Sequence, residues 1–118
     1  TPVALVTASA GADARFLDVP RTSACGVVVA ALGRGNVPPA MAEGIGRCLD
    51  AGVPVVVASR APRGRVGTTY GYEGGGRQLA NRGAIFTGSR RPQQARIDLM
   101  LALGAGLSGD AMRAVFDA

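Results

Sequence analysis

At 118 residues, with 47% hydrophobic and 18% charged positions, the chain has the apolar content for one folded domain with a real core and falls outside the disordered class. Its formal charge of +5 comes from arginine alone, scattered apart from Arg60, Arg63 and Arg65 and the pair Arg90 and Arg91, and with 4% aromatic residues to stack bases no nucleic-acid partner is expected. No apolar run reaches the about 18 residues that a membrane span needs and no signal-peptide pattern is visible. With no histidine, and with Cys25 and Cys48 outside any Cys-x-x-Cys spacing, no metal site is expected either.

The chain opens at Thr1 and enters a strand almost at once, which suggests a segment of something longer. Pro2 to Ser9 reads as a first strand closed by Ala10 and Gly11, and Asp13 to Asp18 as a short helix that ends near Pro20. Gly26 to Leu32 is an apolar, β-branched run, too short for a buried helix and bounded by glycine, so it reads as a strand covered on both faces in a parallel sheet. The residues after it punctuate. Gly33 and Gly35 can take backbone conformations closed to other residues, Asn36 has the side chain of a helix N-cap, and Pro38 or Pro39 suits a first helical turn. Ligands of open α/β sheets bind in the crevice beyond the carboxyl ends of the strands, which makes Asn36 the first candidate for a functional side chain.

Met41, Ile45, Cys48 and Leu49 then fall at helical spacing, giving an amphipathic helix of about three turns that stops near Asp50 and Gly52. Gly44 and Gly46 weaken it slightly or let it lie close to the sheet. Val53 to Ser59 is a third buried strand. The connection from Arg60 to Gly76, rich in glycine and arginine, exceeds the about 12 to 15 residues usual in compact domains, so it is expected to be functional and poorly ordered in the isolated domain. A short helix over Gln78 to Asn81 leads to a fourth strand, Ala84 to Thr87. Pro92 opens a helix over Gln93 to Leu103 that is apolar nearly all round, which predicts burial on two sides. Ser108 as N-cap, Asp110, and a stripe of Met112, Val115 and Phe116 mark a last helix. Both cysteines read as buried thiols, in a reducing compartment or as ordinary core residues. This alternation predicts a single α/β domain over residues 1–118, a three-layer flavodoxin-like or Rossmann-like fold with a four-stranded parallel sheet and about four helices.

Gly33 and Gly35 match the first two glycines of a dinucleotide fingerprint, but Pro38 stands where the third belongs. Ser59 and Arg60 at the end of the next strand resemble a 2′-phosphate site, and a stand-alone Rossmann-type nucleotide-binding module is therefore the alternative reading. A serine hydrolase triad is impossible without histidine.

Gly33-Arg34-Gly35-Asn36 after an apolar strand, Val55-Val56-Val57-Ala58-Ser59-Arg60 with Pro62 and Gly64 behind it, and Pro92-Gln93-Gln94-Ala95-Arg96 opening an apolar helix resemble, in that order, the C-terminal domain of the bacterial L-asparaginase family. The resemblance covers nearly the whole chain. It implies an amidohydrolase that converts L-asparagine to L-aspartate and ammonia without cofactor or metal, whose nucleophilic threonine lies in a larger N-terminal domain, in a Thr-Gly-Gly-Thr-Ile segment that this chain lacks. No catalytic residue is thus assigned here. The resemblance also implies a homo-oligomer, dimer or tetramer, in which this domain completes a neighbouring subunit's site: Asn36 approaches the neighbour's substrate-binding acid, and Gly33 and Gly35 shape the turn that supports it. The family takes the substrate's α-amino group with a glutamate from the loop after the third strand. Glu73 is the acid that this loop offers, and Tyr72 beside it is a further substrate-binding candidate. A cytoplasmic location is expected.

Overall fold

The computed structural model describes residues 2–9, 13–33, 36–59 and 76–117. In chain order these form β1 (Val3–Thr7), α1 (Arg15–Ser23), β2 (Gly26–Ala31), α2 (Pro39–Asp50), β3 (Val55–Ser59), α3 (Gly76–Asn81), β4 (Ile85–Phe86), α4 (Pro92–Gly104) and α5 (Gly109–Val115). The four strands are all parallel and lie in the order β1-β2-β3-β4. The register sets Leu5 beside Val28, Val28 beside Val56 and Val56 beside Ile85, so one apolar row crosses the whole sheet.

Sequential strand order decides where the helices go. When each strand adds to the same side of its predecessor and every crossover is right-handed, the crossover helices all fall on one face. Accordingly Leu17 of α1, Met41 and Ile45 of α2 and Leu79 of α3 share a core with Val27, Val29, Val55 and Val57. The opposite face is left for the helices after the last strand, where Leu99 of α4 and Met112 and Phe116 beside it share a core with Val28 and Val56. The result is the expected three-layer α/β architecture, with five helices among the described residues. A sheet wound in one direction has no reversal of strand order, which is where doubly wound sheets hold dinucleotides.

Several local expectations are corrected. Helix α1 does not end at Pro20 but runs through it to Ser23. The lost N–H costs one helical bond, yet Leu17 and Pro20 lie one turn apart and are both buried, which offsets that loss. The helix starts at Arg15, whose backbone N–H donates to the Asp13 carboxylate at 3.0 Å. That bond, with the Arg15 guanidinium, holds the exposed Asp13 carboxyl below its ordinary range. Helix α2 starts at Pro39, with Pro38 in the N-cap position and no side chain capping it, so Asn36 is not a cap. The first of the α2 glycines permits a close approach to α1 rather than to the sheet: a Cβ at Gly44 would lie 2.8 Å from Ala14 Cβ and 3.0 Å from Leu17 Cδ1. Helix α4 buries Ala95, Leu99 and Ala102 on one side only, with Ile97 and Leu101 exposed on the other. Ser108 stands at the N-cap of α5 but its side chain makes no capping bond. Cys48 is buried as expected, whereas Cys25, just ahead of β2, is exposed; both are free thiols.

Candidate functional site

The carboxyl ends of β2 and β3 and the start of α4 converge on one polar cluster. Its centre is the turn that leaves β2. Leu32 and Asn36 pair through two backbone bonds, Leu32 N–H to Asn36 carbonyl at 2.8 Å and Asn36 N–H to Leu32 carbonyl at 2.9 Å, so the chain doubles back on itself in five residues. Gly33 opens this reversal with φ of +47°, a backbone conformation that a side chain disfavours. Leu32 packs against the core and Val37 is buried within it, which pins both ends of the turn and leaves Asn36 half-buried between them.

Two side chains tie this turn to its neighbours. The hydroxyl of Ser59, the last residue of β3 and 2% exposed, donates to the Gly33 carbonyl at 2.6 Å. The Arg91 guanidinium, immediately before α4, donates to the Ser59 carbonyl at 2.8 Å. Arg90 turns the other way, pairing with Asp98 at 3.5 Å and lying 5.3 Å from the Phe116 ring centroid. The two adjacent arginines thus serve different ends. Thr87, fully buried beyond β4, holds its own segment through a long bond from its hydroxyl to the Arg90 carbonyl at 3.4 Å.

One atom is left over. Asn36 Oδ1 is buried and, among the described residues, accepts no hydrogen bond. An unpaired buried acceptor costs about 1–3 kcal/mol. An amide side chain can accept through Oδ1 and donate from its nitrogen at the same time. The cluster holds an amide, a hydroxyl already donated to a backbone carbonyl, and a guanidinium, none of which abstracts protons at neutral pH. These groups can bind and orient, not cleave. Among the described residues no group of three or more His, Cys, Asp or Glu side chains gathers as a metal ion would need. A larger apolar groove of about 580 Å³ runs along β1 and α1, past Leu5, Phe16 and Val19, and includes none of the cluster residues.

Of the candidates read from the sequence, Asn36 and Gly33 are brought together with Ser59 and Arg91, while Gly35, Tyr72 and Glu73 lie outside the described residues, as does the connection from Arg60 to Gly75. Sequence reasoning named Arg91 only as half of a charged pair and Ser59 only as a strand end beside Arg60, and gave neither a part in holding the Asn36 turn. The available signals were a polar residue closing a run of buried valines and a charge placed directly before a helix-opening proline.

None of the described helices is long and apolar enough to cross a membrane. Residues 2–116 match the family described as Glutaminase/Asparaginase C-terminal domain. A probable L-asparaginase of Deinococcus radiodurans is 40% identical over 91 residues, covering 77% of this chain and 27% of that protein. An L-asparaginase of Bacillus licheniformis is 37% identical over 84 residues, covering 71% of this chain and 26% of its own length. The chain therefore spans about a quarter of the length of the curated relatives it matches. By the extent of the family match and the identity to both relatives, this chain belongs to the glutaminase/asparaginase C-terminal domain family.

Proposed function

We propose that this chain is the C-terminal domain of an L-asparaginase, an amidohydrolase that converts L-asparagine and water to L-aspartate and ammonia. Support comes from the family match over residues 2–116 and from two relatives named for that activity. In this reading a threonine of a separate N-terminal domain attacks the side-chain amide, ammonia leaves as the acyl-enzyme forms, and water releases aspartate. The present domain binds and positions. It joins subunits into a dimer or tetramer, and Asn36 reaches the neighbouring subunit's substrate-binding carboxylate, donating from its amide nitrogen. Glu73 meets the substrate's α-ammonium, a charge that needs a paired partner once desolvated, with Tyr72 beside it. Gly33 and Gly35 give the turn its shape.

The observation that carries the role of Asn36 is its buried Oδ1, which has no partner among the described residues, at the end of a central strand on a side chain that caps no helix. A cap would explain an asparagine here by stability alone; without one, about 1 kcal/mol of capping energy is absent from the balance. The test compares the 118-residue chain with the full-length protein in an ammonia-release assay on L-asparagine. The chain alone should stay at the buffer blank, because with no histidine and no lysine it offers no nucleophile paired with a base. In the full-length protein Asn36→Ala should lower kcat/KM by about tenfold or more, a loss of about 1.4 kcal/mol of transition-state binding, with a smaller change in folding stability. Saturable ammonia release by the chain alone, or unchanged kinetics in a folded Asn36→Ala enzyme, overturns this assignment of roles.

A further inference from the structure

We propose that Ser59 and Arg91 are positioning residues for Asn36, which they hold through the backbone of the turn rather than by touching it. The inference rests on the reading that Asn36 contributes to the substrate site. Three strand-end segments are linked in series: Arg91 donates to the Ser59 carbonyl, the Ser59 hydroxyl donates to the Gly33 carbonyl, and the residue before Gly33 pairs reciprocally with Asn36.

Packing does not do this work at Gly33. It has no side chain, and among the described residues nothing beyond its chain neighbours lies within 4 Å of where a Cβ would be. Its φ of +47° is also one of two broad options open to glycine, so the local chain does not select the conformation by itself. The Ser59 hydroxyl selects it. Ser59 itself is 2% exposed, so its hydroxyl is held in place on the sheet side of a part-buried bond to the exposed Gly33, and its loss removes the tie from the core to the Gly33 carbonyl. Arg91 acts one step farther back. Its half-buried guanidinium fixes the carbonyl of the residue whose hydroxyl reaches the turn, and so sets where that hydroxyl points. With either tie removed the Gly33 carbonyl loses its fixed direction, and although the Leu32–Asn36 pairing keeps the turn closed, the Asn36 amide is held less sharply toward the neighbouring subunit's carboxylate.

The test is a pair of double-mutant cycles in the full-length enzyme, measuring kcat and KM for L-asparagine together with the melting temperature. Ser59→Ala should raise KM about tenfold, inside the about 100-fold that a misplacement near 1 Å costs, while kcat changes by less than about twofold. In an Asn36→Ala background the same substitution should add almost nothing, because the group it positions is gone. Ser59→Thr, which keeps the hydroxyl, should restore most of the affinity. Arg91→Ala, on a half-buried residue, gives a second cycle should Ser59→Ala fold poorly; it should raise KM by a smaller factor that likewise vanishes without Asn36. A KM effect of full size in the Asn36→Ala background, or a well-folded Arg91→Ala and Ser59→Ala with KM unchanged beside an Asn36→Ala that is impaired, overturns the positioning role alone. An Asn36→Ala enzyme with wild-type kinetics instead removes the site reading on which the inference stands.

Discussion

The two ends of the sheet differ in what their side-chain bonds hold. At the amino ends the chain's own bonds, Cys25 N–H to the Pro2 carbonyl at 2.8 Å and Val27 N–H to the Pro54 carbonyl at 3.0 Å, stand beside arginines of α4 and α5 that fasten helices to the sheet, Arg96 donating to the Val3 carbonyl at 2.9 Å and Arg113 to the Gly83 carbonyl at 3.3 Å. Around them Leu49, Val53, Leu103 and Met112 line an apolar groove of about 350 Å³. At the carboxyl ends the turn carbonyl of Gly33 and the strand-end carbonyl of Ser59 take their donors from side chains. Ser59 and Thr87, the buried polar residues among those described, both lie at this end. Buried backbone groups must be paired wherever they occur. Where the ladder supplies the partner, a side chain is free to be apolar and a substitution alters packing only. Where a side chain supplies it, a substitution alters the path of the backbone, and with it whatever the turn presents.

The largest expected effect tests the apolar part of this contrast. Leu99 is fully buried on the α4 face, and Leu99→Ala should destabilise the domain by about 2–5 kcal/mol, measured by urea unfolding. In the full-length enzyme KM per folded molecule should stay unchanged, since no tie to the Asn36 turn is touched. A shifted KM in the folded fraction would break the separation between the layers and the strand ends.

The same contrast explains what could be read from the sequence. Helix α2 was legible because its apolar residues repeat at helical spacing and its buried face includes Met41, Ile45 and Cys48. The three-layer sheet was legible because uninterrupted valine runs have few other uses. Helix α4 was only half legible: apolar residues at almost every angle do not say which side meets the sheet, and Ala95, Leu99 and Ala102 face it while Ile97 and Leu101 do not. Asn36 was placed on the right turn with the wrong local role, since capping propensity is a near-neighbour property and the pairing of Leu32 with Asn36 is not encoded in it. The ties that brace the turn join residues 26 and 32 positions apart, beyond the reach of any periodicity.

A smaller effect comes from the carboxyl end itself. Thr87 is fully buried, but its hydroxyl bond to the Arg90 carbonyl is long at 3.4 Å, while its backbone N–H is held by the Val57 carbonyl at 3.2 Å. Thr87→Val keeps the shape and removes only the weak bond, so it should cost about 1 kcal/mol or less and leave substrate affinity unchanged. That outcome would sharpen the comparison: it is the bond to the Gly33 carbonyl, not polarity at the strand ends in general, that governs the turn. A KM increase matching that of Ser59→Ala would show instead that the whole polar end moves as one unit.

The smallest expected effect lies in the helix layer and appears only at high pH. Cys48 is buried on α2, and its thiol donates to the Leu17 carbonyl of α1 at 3.6 Å. Burial raises its pKa above the ordinary value of 9.0; Arg21 and Arg47 pull the other way and Asp18 adds to the rise. A folded-state pKa raised above the unfolded one makes its contribution fully present below the unfolded value, where the thiol is neutral in both states. As pH climbs past 9.0 the unfolded chain loses this proton first, so the folded state is progressively disfavoured until its own thiol ionises. Urea midpoints measured at about pH 7 and about pH 10, on either side of the thiol range, should therefore fall further for the native chain than for Cys48→Ala. Parallel losses in the native chain and in Cys48→Ala would mean that the α1–α2 contact carries no titratable load.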